Sequence, residues 1–193
     1  MPRRALLAPL VIVAVLGTEA CAEPPDRELQ QAQGAIDTAR AAGADQYAHD
    51  EFAAAEDALK RAHEAVGQRD YRLALNNALD ARERAQTAAK EAADRKATKR
   101  GDAERELLDA MTALNEANSK LRAAEAARAP AKALAGPRHL ITDSDAALQK
   151  ARAAFDQGDY LTTIERARET RERLRASAHD LDAAAAVPAR RRR

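Results

Sequence analysis

From Asp26 onward, apolar residues recur every three or four positions, the spacing that sets them along one side of an α-helix. Leu29, Ala32, Ile36 and Ala39 make the first such stripe, with Asp26 as its candidate N-cap and Gly43 as its stop. Phe52, Ala55, Leu59, Ala62 and Val66 make the second behind Asp50, and Gly67 to Asp70 then forms a short turn. The third stripe runs through Tyr71, Ala74, Ala78, Ala81, Ala85, Ala88 and Ala92 with a period of about 3.5 residues, the repeat of helices packed at a shallow angle.

A second series follows. Leu107, Ala110, Leu114, Ala117, Leu121 and Ala124 line a helix from about Asp102 to Arg128, after which Pro130 and Gly136-Pro137 are expected to break the chain. Gly101 either divides this helix from the third or lies within one long rod, since glycine inside a helix costs only ~1 kcal/mol relative to alanine. Shifting the chain by 89 positions lays Ala58-Leu59 on Ala147-Leu148, Ala62 on Ala151 and Asp70-Tyr71 on Asp159-Tyr160. Ala78 then falls on Ala167, and Arg82-Glu83-Arg84 on Arg171-Glu172-Arg173, without a gap. Ala-rich chains align with themselves easily, so Asp-Tyr and Arg-Glu-Arg carry the weight of reading a duplicated helical hairpin.

The turn explains its own residues. In Gly158-Asp159-Tyr160 the glycine can take the left-handed conformation that ends one helix, the aspartate can cap the next, and the tyrosine ring can fold back onto the preceding helix. The first copy keeps Asp70 and Tyr71 with a glycine further upstream at Gly67. Similar Gly-x-Tyr turns occur in tetratricopeptide hairpins, although the chain lacks a 34-residue repeat. Asp70, Tyr71, Gly158, Asp159 and Tyr160 are therefore read as structural. The expected fold is all-α: Ala-rich antiparallel hairpins in two related three-helix units, residues 22–100 and 101–187, with a basic tail at 188–193.

Composition supports helix over disorder. About a quarter of the 193 residues are alanine and 33% are charged, with two Phe, three Tyr and no Trp. High charge with few aromatics can signal disorder, but alanine is the strongest helix former and the stripes are regular. Only a thin apolar seam is available to pack.

The first 21 residues break the pattern. Met1-Pro2-Arg3-Arg4 is basic, and Ala5 to Gly17 is an uncharged stretch of thirteen residues, shorter than the ~20 that span a bilayer. This is the layout of an export signal, and Sec export suits it better than a twin-arginine route resting on Arg3-Arg4 alone. Its exit reads two ways: Ala20-Cys21-Ala22 fits a soluble cleavage site, whereas Cys21, the only cysteine, stands where a lipoprotein carries its acylated residue. Thr18, Glu19 and Ala20 match a Leu-Ala-Gly-Cys lipobox only at the small Ala20. Lipidation of Cys21 is the favoured reading, with a periplasmic location at the outer membrane.

Charge narrows the partners. After residue 20 the chain holds 30 basic and 30 acidic side chains, four of the basic ones being Arg190, Arg191, Arg192 and Arg193. Such a mixed surface lacks the basic stripe of a nucleic-acid binder, and no DNA or RNA partner is expected. The arginine tail reads two ways, as a flexible solubilising end, the favoured reading, or as a contact for anionic lipid, lipopolysaccharide or cell-wall polymer, worth ~1 kcal/mol per residue near an anionic membrane.

The signal ending at Cys21, the Ala-rich segment from about Asp26 to Ala97, the Ala41-Ala42-Gly43-Ala44 break and the helix-Asp-Tyr-helix hairpin together resemble a family of bacterial Ala-rich lipoproteins of unknown function. Members often carry an OmpA-like peptidoglycan-binding domain after the helical region, which implies a cell-envelope setting; no such domain is read in this sequence. The resemblance covers the first half of the mature chain and implies no catalytic residues.

Candidate chemistry is sparse. His49, His63, His139 and His179 are scattered, without the i, i+4 pair that sets two metal ligands on one helix face. Phosphate-loop, dinucleotide and nucleophile-elbow motifs are missing. The expectation is a non-enzymatic scaffold or adaptor, without cofactor or metal, that binds another envelope protein through its helix faces, with self-association through spare Ala seams as a further expectation.

Overall fold

The computed structural model describes residues 23–186. Within them the protein is all-α, with six helices and no strand: α1 (Asp26–Ala41), α2 (Ala44–Tyr47), α3 (His49–Gly67), α4 (Tyr71–Ala126), α5 (Ala131–Asp156) and α6 (Tyr160–Ala186). The buried residues of α1 are Leu29, Ala32, Ile36 and Ala39, the stripe read from spacing. On α3 they are Phe52, Ala55, Ala58, Leu59, Ala62 and Ala65, with Val66 half-buried at the edge.

The largest feature is α4, a single helix of 56 residues. At 1.5 Å per residue it is about 84 Å long. It runs through Gly101 without interruption, so the boundary drawn at 100/101 falls inside a helix that both three-helix units share. Its buried face steps from Ala74 through Ala78, Ala81, Ala85 and Ala88 to Ala92, then to Ala103, Ala110, Ala117 and Ala124. The step from Ala92 to Ala103 is close to three turns, which keeps the stripe on one side across the junction. A Cβ added at Gly101 would meet nothing within 4 Å, and the continuous ladder absorbs the glycine's helix penalty.

Every other helix packs against α4. In the first unit Arg82 on α4 donates to Gln31 on α1 at 2.7 Å, and Arg84 on α4 to Glu51 on α3 at 3.2 Å. Together with the pairing of Arg40 on α1 with Glu56 on α3 at 2.7 Å, these contacts run α1 and α4 parallel, in direct contact, with α3 antiparallel to both. The second unit repeats this up-down-up arrangement with the C-terminal half of α4, then α5 and α6. Lys120 meets Asp182 on α6 at 2.6 Å, and Glu125 meets Arg138 on α5 at 2.7 Å.

Three local expectations are corrected. Asp26 and Asp50 are not N-caps: those positions belong to Pro25 and Ala48, and both aspartates sit in the first turn, where the helix dipole still favours a carboxylate. Pro130 ends the preceding segment, but Gly136-Pro137 does not break the chain, since Pro137 lies inside α5. An interior proline costs ~3 kcal/mol. Leu134 and Ile141, buried on either side of it, hold the two turns to the same core.

The cores of the two units differ in chemistry. In the first, α4 contributes only alanine, and bulk comes from Leu29, Ile36, Tyr47, Phe52 and Leu59. Moving 89 positions from Ala74, Ala78, Ala81, Ala85, Ala88 and Ala92 reaches Thr163, Ala167, Thr170, Leu174, Ser177 and Leu181, all buried on α6. The duplicated hairpin therefore keeps its buried register while exchanging three alanines for hydroxyl residues.

Candidate functional site

The two turns share their hydrogen bonds position for position. After α3, Asp70 N–H donates to Ala65 O at 2.9 Å and Arg69 N–H to Val66 O at 2.9 Å. After α5, Asp159 N–H donates to Ala154 O at 2.9 Å and Gly158 N–H to Phe155 O at 2.9 Å. This is the Schellman pair that satisfies the last carbonyls of a helix. Asp70 Oδ1 then accepts from Leu73 N–H at 3.0 Å, and Asp159 Oδ1 from Thr162 N–H at 3.1 Å, so each aspartate caps the following helix. Tyr160 folds back onto Phe155 with ring centroids 5.3 Å apart.

One detail differs from expectation. The left-handed residue of the first turn is Arg69, at φ 59°, and Gly67 is an ordinary helical residue. Arg69 stands 89 positions before Gly158, whose φ is 79°. The same backbone is thus built once with glycine and once with arginine.

The turns are not brought together. The first lies at the outer start of α4, whereas Leu161, one residue past the second, packs into the core of the first unit. The group it approaches went unnoticed in the sequence: Tyr47 at the end of α2, 6% exposed, with its hydroxyl buried and unpartnered. Burial pushes this phenol above its usual range, and the charge of Asp159 adds to the rise, with the Tyr160 backbone acting in the opposite direction. Gly43, at φ 86°, makes room for the ring, because a Cβ there would come within 3.3 Å of Tyr47 Cδ2. Arg95 on α4 donates to Tyr47 O at 2.9 Å and fixes the same segment from the other side. A tyrosine just past the Gly43 break was the only signal available for this junction.

The duplicated Arg-Glu-Arg motif also acquires a role. Arg82 and Arg171, equivalent in the repeat, each tie the last helix of a unit to its first. Arg171 bonds Glu106 at 2.6 Å and Asp109 at 3.3 Å, while Arg168 reaches the same Glu106 at 3.0 Å. The side chains of Arg171 and Glu106 are each 15% exposed. The Arg171–Glu106 pair is thus part of the packing, while Arg168 and Asp109 join it from the exposed side.

Among the described residues no three His, Cys, Asp or Glu side chains gather in a way that would hold a metal, and no helix is long and apolar enough to cross a membrane. A groove of 410 Å³ lies between α1 and α3. Ile36 and Leu59 form its floor, and Arg40, Glu56, Lys60 and His63 its rim. Cys21 and the arginines Arg190 to Arg193 lie outside the described residues.

Residues 27–104 match the model of a family described as a domain of unknown function (DUF4398). The match takes in α1, α2, α3 and the first part of α4, which is the first unit together with the junction. No curated protein and no solved structure matches the chain.

Proposed function

We propose that this protein is a non-enzymatic helical scaffold or adaptor of the bacterial cell envelope, exported, tethered to the outer membrane through an acylated Cys21, and bound to another envelope protein through its helix faces. The observation that carries the reading is α4, a 56-residue spine on which two three-helix units share one buried stripe. Such a rod holds surfaces at fixed separations over tens of ångströms without any moving part. The apolar stretch ahead of Cys21 supports the address, and the groove between α1 and α3, inside the segment that matches the family, supports a contact face there.

Two measurements test this reading. Intact-mass analysis of protein purified from envelope should give a mature N-terminus at Cys21 with acyl mass; an unacylated N-terminus at Glu23 would replace the tether with a soluble periplasmic form. A photo-crosslinker at Lys60, on the groove rim, should trap a discrete partner in envelope extract, whereas one at Gln86 on α4 should not. Absence of any adduct from Lys60 and from the remaining groove positions would remove the adaptor reading.

A further inference from the structure

The two hairpins carry the same groove, and only one of them is cationic. In the first unit, Arg61, Glu64, Ala65, Gln68, Leu73 and Asn77 line a groove of 240 Å³ between α3 and α4. The residues 89 positions on, Lys150, Ala153, Ala154, Gln157, Thr162 and Arg166, line one of 300 Å³ between α5 and α6, together with Asp159. Asp159 adds an acid to the second groove, and the three substitutions act against it. An acid, Glu64, gives way to Ala153; a neutral Asn77 gives way to Arg166; and Leu73, 45% exposed, gives way to the hydroxyl residue Thr162.

The neighbouring charges diverge in the same sense. In the first unit Arg84 is held by Asp80 at 2.9 Å and Glu51 at 3.2 Å, and Arg61 lies 3.6 Å from Asp80. The equivalent of Glu51 is Leu140, so Arg173, the equivalent of Arg84, loses one acidic partner. Lys150, Arg166 and Arg173 then line a smaller 150 Å³ extension of the same groove, with Glu169 as its acid. Among the described residues none of the three cations lies in an ion pair, whereas Arg40, Arg84, Arg138 and Arg171 each pair with an acid on a neighbouring helix. Asp159, the other acid at the groove, is engaged in capping α6.

We propose that the α5–α6 groove is an anion-binding site for a phosphate-bearing ligand, held by Lys150, Arg166 and Arg173 with Thr162 as a hydroxyl donor. Guanidinium groups match phosphate oxygens with paired donors, and unpaired cations gathered in a cleft raise the local concentration of anions. Arg166 and Arg173 lie seven residues apart, about 10 Å along the helix. Charge spread over two phosphoryl groups spans them, whereas a lone carboxylate engages one. The cleft is the size of a headgroup or a small phosphate ester, too small for a docked helix. This site is independent of the adaptor reading and of the groove between α1 and α3.

Isothermal titration of the full chain with sodium pyrophosphate at low ionic strength tests it. One site is expected, weakened at least tenfold in the double variant Arg166→Asn with Arg173→Gln, and unchanged in Arg84→Gln, the counterpart of Arg173 in the first unit. Arg166 and Arg173 are exposed and Arg84 is half-buried, so circular dichroism and thermal unfolding of each variant check the fold. No pyrophosphate binding by the unaltered protein, or an equal loss in Arg84→Gln, overturns the proposal. Co-sedimentation with phosphatidylglycerol vesicles then separates the sources: vesicle binding that falls in parallel in the double variant identifies a lipid headgroup, and pyrophosphate binding lost without any change at vesicles identifies a soluble phosphate ligand.

Discussion

Replacing Arg69 by glycine should stabilise the protein. Arg69 holds φ at 59° on the surface, and no side-chain hydrogen bond or ion pair engages it among the described residues. The left-handed conformation costs a residue with a Cβ about 1–2 kcal/mol, which glycine avoids. Glycine also gives the unfolded chain more freedom, which offsets about 0.4–1 kcal/mol of that gain. The net expectation is about 0.5–1 kcal/mol in favour of Arg69→Gly, or a rise in Tm of roughly 2–3 °C for a chain of this size. The second turn supplies the mirror experiment: a Cβ at Gly158 would meet nothing within 4 Å, so Gly158→Ala carries the backbone cost alone and should destabilise by a similar amount. Arg69→Ala, which keeps the Cβ, should stay within ~0.5 kcal/mol of the unaltered protein. Urea unfolding followed by circular dichroism reads all three, with an unchanged m-value showing that the native state is altered only locally. Arg69→Gly less stable than the unaltered protein, or Gly158→Ala equal to it, would refute the assignment of strain to this position.

Other expectations follow from single contacts. Tyr47→Phe removes a buried, unpartnered hydroxyl and should stabilise by ~1 kcal/mol. Because the folded phenol titrates above its unfolded value of 10.0, the unfolded chain ionises first and the unaltered protein loses stability as pH rises from 10 through the folded pKa; the advantage of Tyr47→Phe, followed by urea unfolding from pH 8 upward, should therefore be constant below pH 10 and widen above it. Ser144→Ala and Ser177→Ala each delete an unpartnered hydroxyl at 1% exposure, where the first unit has Ala55 and Ala88, and each should raise stability by ~1 kcal/mol in the same assay. Glu106→Ala leaves Arg171 largely enclosed without its main partner and should cost ~2 kcal/mol by thermal unfolding, more than loss of an exposed pair such as Arg100 with Glu104, expected below ~0.5 kcal/mol.

The buried faces were legible in the sequence because a helix converts spacing directly into sidedness. Leu29, Ala32, Ile36 and Ala39 on α1, and the alanines from Ala74 to Ala92 on α4, are buried where a three-to-four spacing put them. The duplicated turn was legible as well, since glycine, aspartate and tyrosine each answer a local requirement of the chain at that point. Two positions misled. Gly67 drew attention away from Arg69, because a left-handed residue is recognised by its backbone and arginine rarely adopts one. Pro137 looked like a stop, and local propensity alone makes it one.

Amphipathic periodicity thus determined by itself the number of long helical stripes, their faces and the hairpin turns, all of which depend on residues a few positions apart. Tertiary packing decided what depends on residues far apart. The continuity of α4 through Gly101 follows from two units sharing one stripe. The burial of Tyr47 beside Asp159 needs the short helix α2 of the first unit to meet a turn of the second, 112 residues later. The cationic character of the α5–α6 groove appears only when acids such as Glu51 and Asp80 are seen to hold the arginines of one copy and not those of the other. Charge counted along the chain is nearly balanced, but electrostatic pairing falls off within a few ångströms, and only the folded helices set which charges lie that close.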